Sequence, residues 1–204
     1  MVDNPKTEED IAWLDTDPDD LWIFDKLILS RKLGYKCGPA GVDVPHDGFY
    51  IVRPAINCVG LGLGAYEQWL TVEGWTDHLQ PGTFWCEIFE GDHISVDYEW
   101  GEPFLSVQGF RYPESFTKWK AWIKTDVMHP VPEILQPIAK KYRWMNCEFI
   151  GGKLIEVHLR CNPDFNYGNS EFIPVWQGQD TTAPDGYTYV ECPEYNHRIG
   201  AFIR

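Results

Sequence analysis

The sequence predicts an α+β protein with mainly antiparallel sheets. Three observations carry that expectation. Short runs of alternating apolar and polar residues recur along most of the chain, punctuated by Gly, Pro and Asn turns. Only two stretches, 20–36 and 132–144, place apolar residues at helical spacing with recognisable stop signals. Aromatic content is high, with ten Trp, ten Tyr and eleven Phe, as expected of sheets carrying large side chains on their faces.

The first of the 204 residues form an acidic segment, 1–19, read as a solvated tail or edge. Residues 1–20 hold eight acids against Lys6 alone, half of the net charge of −14. Such a chain lacks the basic footprint for nucleic acid or an anionic membrane, so no such partner is expected. The start has no basic and apolar leader pattern, and no apolar run approaches the ~20 residues of a membrane span. Six Cys are scattered without CxxC pairs, the pattern of a reduced protein of the cytoplasm.

DLWIFDKLILSRKLGYK (20–36) reads as a helix stopped by Cys37-Gly38-Pro39. GFYIVRP (48–54) reads as a strand closed by Pro54. NCVGLGLGAYEQWL (57–70) reads as a glycine-rich loop running into a short helix. TFWCEIFEGDHISVDYEW (83–100) gives two strands interrupted near Gly91, and FLSVQGFRY (104–112) pairs back after a Gly-Glu-Pro turn. PEILQPIAKKYRW (132–144) is the second helix, with basic residues in its last turn. Short strands are expected at EFIPVW and RIGAFIR in the Gly-, Pro- and Asn-rich 166–204.

The most informative stretch is RWMNCEFIGGKLIEVHLRCNPDF (143–165), a hairpin around Gly151-Gly152. Met145, Cys147 and Phe149 form one apolar face, and Ile155, Val157 and Leu159 its continuation. A three-residue loop ending at Lys153 keeps those faces together, pairing Ile150 with Leu154 and setting Glu148 opposite Glu156. Asn146 then faces His158. Two carboxylates directly opposite repel, so this face is either solvated, holds a proton, or holds a cation.

Glu-x-His-x-Arg-x-Asn-x-Asp at 156–164 resembles the last strand of the ATP-grasp fold, whose pattern is Glu-x-Asn-x-Arg, and Glu148 matches the acid or amide on its preceding strand. Three further pieces resemble that family in the same order. FDKLILSRKLG resembles its opening helix, with Lys26 as first phosphate cation. YIVRPAINCVGLGLGA resembles its strand and glycine flap, with Arg53 as second cation and Gly60, Gly62 and Gly64 as the covering loop. FWCEIFEGDHISVDY resembles the hinge, with Glu87, Ile88 and Phe89 along the adenine and His93 near the ribose.

The resemblance implies an ATP-grasp fold, two lobes of mainly antiparallel sheet plus helices with the nucleotide site between them. It divides 20–204, read as a single domain, into a small lobe at about 37–86 and a larger C-terminal lobe at about 90–204. It implies ATP and Mg²⁺ as cofactors, the metal held by Glu148, Glu156 and His158. His158 stands where the family has Asn, and imidazole is a softer donor better matched to Mn²⁺. The implied activity is ATP-dependent ligation of a carboxylate to an amine or thiol through an acylphosphate. Arg160 would act on the transferred group, and Arg111 is the second catalytic candidate. The alternative is a nucleotide-binding or structural protein with an ATP-grasp shell and no turnover. A metal hydrolase built on Glu148, Glu156 and His158 lacks a second His or nucleophile close in sequence. The chain begins almost at the family's first ATP-binding helix, as in small phage-encoded proteins of this type, which work in the host cytoplasm. A homo-oligomer could then complete the acceptor site.

Overall fold

In the computed structural model, which describes residues 8–56, 64–74, 76–113, 115–116, 118–195 and 197–204, the alternating runs fold into two antiparallel sheets. The first contains β1 (Cys37–Pro39), β2 (Gly48–Pro54), β3 (Tyr66–Leu70) and β4 (Thr83–Cys86), in the order β1-β4-β2-β3. The second contains β5 (His93–Glu99), β6 (Glu102–Arg111), β7 (Trp119–Lys124), β8 (Trp144–Ile150), β9 (Lys153–His158), β10 (Glu171–Trp176), β11 (Thr188–Tyr195) and β12 (Arg198–Ile203). Its order is β11-β12-β10-β7-β6-β5-β8-β9, leaving β9 at an edge. Residues 87–92 connect the two sheets.

Among the described residues three α-helices accompany them: α1 (Glu8–Asp15), α2 (Lys26–Lys32) and α3 (Gln136–Lys141), the last entered by a 3-10 turn, Glu133–Leu135. The helix expected over 20–36 is broken. A 3-10 segment, Pro18–Phe24, ends at Asp25, whose extended backbone and side chain cap α2, with Oδ1 accepting from Ile28 N at 2.9 Å. That break places Lys26 in the first turn of α2, where its N–H donates to Ala55 O just past β2 (2.6 Å).

The short helix expected before Leu70 is instead β3, paired with β2 from Gly48↔Leu70 to Val52↔Tyr66. Five residues are too few to separate a helical from a two-residue period. Here the Phe49–Trp69 ring contact across the pair (5.1 Å) favours the strand.

The β8–β9 hairpin also corrects the expected loop. Gly151 and Gly152 form a two-residue turn, with φ of 55° and 78°, and Ile150 pairs with Lys153. That register alone would set apolar against polar residues. A bulge between Glu148 and Phe149 restores parity on β9, so Glu148 still faces Glu156 and Asn146 still faces His158.

One face of the large sheet packs Ile94, Val96, Tyr98, Met145, Cys147 and Val157 against Phe24, Leu29, Leu135 and Ile138. On the other face, polar strands β5, β8 and β9 run into an aromatic core at β6, β7 and β10, built on Val107, Trp119, Trp122 and Phe172. Gly109 makes room for it, since a Cβ there would lie 2.6 Å from the Trp119 ring and 2.8 Å from that of Trp122. Gly109→Ala is expected to destabilise the protein by about 1–3 kcal/mol through overpacking. An unchanged melting temperature would mean the two indoles repack freely.

Candidate functional site

Strand alternation gathers the polar residues. Two rows cross β5, β8 and β9: Ser95, Glu148 and Glu156, then Asp97, Asn146 and His158. All except Glu148 are buried. Charges this close are tolerated only if each has a counter-charge, and the counter-charges come from other elements.

Lys26 of α2 reaches over the edge strand to Glu156, with Nζ 3.2 Å from Oε1. The pair is not aligned as a hydrogen bond, so Glu156 Oε1 is buried without a hydrogen-bond donor. His93 Nε2 lies 2.9 Å from Glu148 Oε2. Burial by itself raises the Glu148 carboxyl, and the hydrogen bond and charge of His93, with His158 and Lys26 beyond, reverse this and hold it well below its ordinary value. Asp97 is the opposite case. Burial pushes it up to about 6, although Oδ1 accepts from Asn146 Nδ2 (2.7 Å) and both oxygens accept from Asn162 N.

Arg53, on β2, approaches from the small sheet. It is 8% exposed, and its Nε has no hydrogen-bond partner. Burial lowers its pKa, and the nearby carboxylates of Glu156 and Glu148 only partly compensate. Lys26, Arg53, Glu148 and Glu156 therefore meet between the sheets. His93 is also here, its ring edge-on to those of Trp119 and Trp122 (4.8 and 5.4 Å) and its Nε2 paired with Glu148.

The remaining expected residues are more dispersed. Glu87 is tied to Lys36, its N–H donating to Lys36 O (2.9 Å) and its Oε1 accepting from Lys36 N (2.8 Å). Phe89 meets Tyr35 edge-on at 4.7 Å, and Ile88 is exposed. Gly64 lies beside Pro54 with φ of 74°, while Gly60 and Gly62 fall outside the described residues. Arg111 ends β6, its guanidinium over the rings of Phe116 and Trp119, with burial lowering its pKa and Glu67 of β3 opposing that.

His158, the third expected metal ligand, is engaged by carboxylates on both sides. Its Nδ1 lies 2.9 Å from Glu9 Oε2 and its Nε2 3.5 Å from Glu156 Oε1, so the ring sits between two carboxylates. A carboxylate only accepts, so Nδ1 donates to Glu9. Glu9 Oε2 also accepts from Arg160 Nε at 2.7 Å. Among the described residues, no three His, Cys, Asp or Glu side chains are arranged as ligands of one ion. The opposed carboxylates of Glu148 and Glu156 nonetheless suit a hard cation that takes its other ligands from phosphate and water. Glu156 Oε1, buried without a donor, is the atom such an ion would satisfy.

Glu9 is the site residue that sequence reasoning missed. The acidic start is not simply solvated: residues 8–15 form a helix, and Glu9 is 9% exposed against His158 and Arg160. No helix among the described residues is long and apolar enough to cross a membrane.

The sequence matches no protein-family model and no curated protein. Solved structures do match the fold. N5-carboxyaminoimidazole synthetase from Staphylococcus aureus, complexed with ADP, aligns with a TM-score of 0.58 at 10% identity, over 90% of this chain and 67% of that one. Carboxyaminoimidazole ribonucleotide synthase from Aspergillus clavatus, complexed with ATP, gives 0.56 at 9% identity, over 89% and 68%. The chain has the ATP-grasp fold. An ATP-grasp superfamily protein from Archaeoglobus fulgidus aligns at 0.50 and 13% identity, over 89% of this chain and 64% of that one. The chain thus spans about two thirds of the length of these ATP-grasp structures.

Proposed function

We propose that this protein is an ATP-dependent ligase that joins a carboxylate to an amine or thiol through an acylphosphate. The observation that carries the reading is Arg53, a buried guanidinium with an unpartnered Nε, facing two opposed carboxylates between the sheets. A buried guanidinium nitrogen left without a hydrogen bond is costly unless a ligand completes it. A nucleotide polyphosphate with a divalent cation answers both halves of that site. Arg53 and Lys26 would donate to its oxygens, and Glu148 and Glu156 would hold the cation. When bound, Mg²⁺ supplies charge neutralisation at the phosphates.

On this reading a carboxylate oxygen of the substrate attacks the γ-phosphorus and ADP leaves. The nucleophile then attacks the acyl carbon, and the C–O bond breaks to release phosphate. Arg160 neutralises the acylphosphate from the large sheet, with Arg111 the second candidate, and catalysis is positioning and electrostatics. The partners are ATP, a carboxylate and a nucleophile.

A melting titration with ADP and ATP, with and without Mg²⁺, tests the nucleotide half. At one hundred times Kd a ligand adds about 2.7 kcal/mol, roughly 5–10 °C for a chain of this size. Lys26→Ala should reduce the shift, and Glu156→Gln should remove its dependence on Mg²⁺. Wild-type protein that melts identically with every nucleotide would end the reading.

One observation favours the second reading, nucleotide binding without turnover: Glu9 already occupies Arg160. Excess hydroxylamine with ATP and a panel of carboxylates separates the two, because it traps acylphosphates as hydroxamates.

A further inference from the structure

The contact made by Glu9 is incomplete. Oε2 takes both hydrogen bonds, from Arg160 Nε and His158 Nδ1, while Oε1 is buried without a partner. Burial alone would raise this carboxyl, and the charges and hydrogen bonds of His158 and Arg160 bring it down to about 2. The pair is therefore a strong anion site filled by a carboxylate that uses half of its acceptor capacity. The helix presenting it is loosely held. Ile11 is 47% exposed and Leu14 60%, and Trp13 is only partly buried against the Phe24 ring (5.2 Å), so α1 buries modest apolar surface to keep Glu9 in place.

Beside this contact lies a cleft of about 580 Å³. Ile11 and Ala12 of α1 form one wall, and Phe104, Trp144 and Phe165 are among the apolar side chains that form the rest. Three charged side chains line it: Asp15 of α1, which is exposed to solvent, Asp97 and Arg160. Asp97 is committed to Asn146 and Asn162 through both oxygens. Arg160 spends Nε on Glu9 and one terminal nitrogen on Cys161 O (3.1 Å), with the other terminal nitrogen beside the His158 ring. Arg160 is the cation of this lining, so an anion would be held at its end of the cleft, with an apolar body lying on the aromatic walls.

We propose that the cleft beneath α1 binds a small carboxylic acid with an alkyl or aryl body, whose carboxylate displaces Glu9 from Arg160 and His158. It deepens the ligase reading and rests on it for what happens next: this acid is the acyl substrate, and Glu9 holds its place until it arrives. The exchange conserves charge, since one carboxylate replaces another. A bidentate ligand would also satisfy donors on Arg160 that Glu9 Oε1 leaves unused.

Calorimetric titration with 3-phenylpropionate tests the exchange, with 3-phenylpropylamine as the matched cation. Wild type is expected to bind the acid and not the amine. Glu9→Gln, which weakens the internal competitor, should bind the acid at least tenfold more tightly, and Arg160→Gln should lose it. Ala12→Trp fills the cleft without touching the ion contact and should also lose the acid, which keeps the test decisive if the Glu9 variant folds poorly. Equal binding of acid and amine, or a folded Glu9→Gln protein with unchanged affinity, would overturn the proposal. ADP titrated into the same samples keeps the two ideas separate. Acid binding without ADP binding would sink the nucleotide site alone, and ADP binding without acid binding would sink the exchange alone.

Discussion

Arg53→Met is expected to melt higher than wild type when free of ligand and to lose most of its response to ADP. Arg53 is 8% exposed, its Nε is unpartnered, and burial lowers its pKa against the pull of Glu156 and Glu148. A cation whose folded pKa lies below its ordinary value is a net burden on the fold in its charged form. Methionine keeps the apolar stem over the Phe84 ring, which the guanidinium now faces at 5.2 Å, and removes the desolvated charge. Removing the desolvation cost of a guanidinium nitrogen that has no hydrogen-bond partner should stabilise the free protein, here by about 1–2 kcal/mol, or roughly 2–8 °C. Loss of a charge-assisted bond to phosphate should cost about 3 kcal/mol, on the order of a hundredfold in Kd. Opposite signs in the two measurements would identify Arg53 as a residue held for a ligand at the expense of stability. A variant that melts lower and binds ADP normally would make Arg53 a structural counter-ion of Glu148 and Glu156.

What the sequence made legible, and what it hid, follow from the range of each interaction. The opposition of Glu148 and Glu156 was readable because a two-residue period fixes which side chains share a face. Even so the parity was restored by a bulge beside Phe149 and not by a longer loop, because two glycines at positive φ make the tighter turn available. Lys26 and Arg53 were readable only through resemblance, since nothing local says that α2 will lean over an edge strand 130 residues away in sequence to reach Glu156. Glu9 was hidden for a related reason. An acidic run looks solvated until its counter-ions are known, and His158 and Arg160 lie some 150 residues downstream. Short elements were the other failure: β3 has five residues and α2 seven, too few for periodicity to decide.

Acid titration is where the hidden contact should show most. Glu9 is held at about 2 in the folded protein against an ordinary value of 4.5. A depressed folded pKa gives stability that is fully present above 4.5 and lost as the pH falls through 2. That linkage amounts to about 3 kcal/mol. Glu148 adds a loss of the same sign through its pairing with His93. Asp97 has the reverse sign. Burial raises it to about 6 from 3.8, so its ionised form burdens the fold above pH 6, and protonation relieves that burden between pH 6 and 4. Wild type minus Glu9→Gln, measured as unfolding free energy against pH, should therefore be flat above pH 5 and fall steadily below 4.5. Wild type minus Asp97→Asn should rise as the pH drops from 6 to 4. If the Glu9 difference curve were flat down to pH 2, the carboxylate would not be held by Arg160 and His158 in solution. The acid-exchange site would then have no resident competitor, and α1 would be a helix that merely rests there.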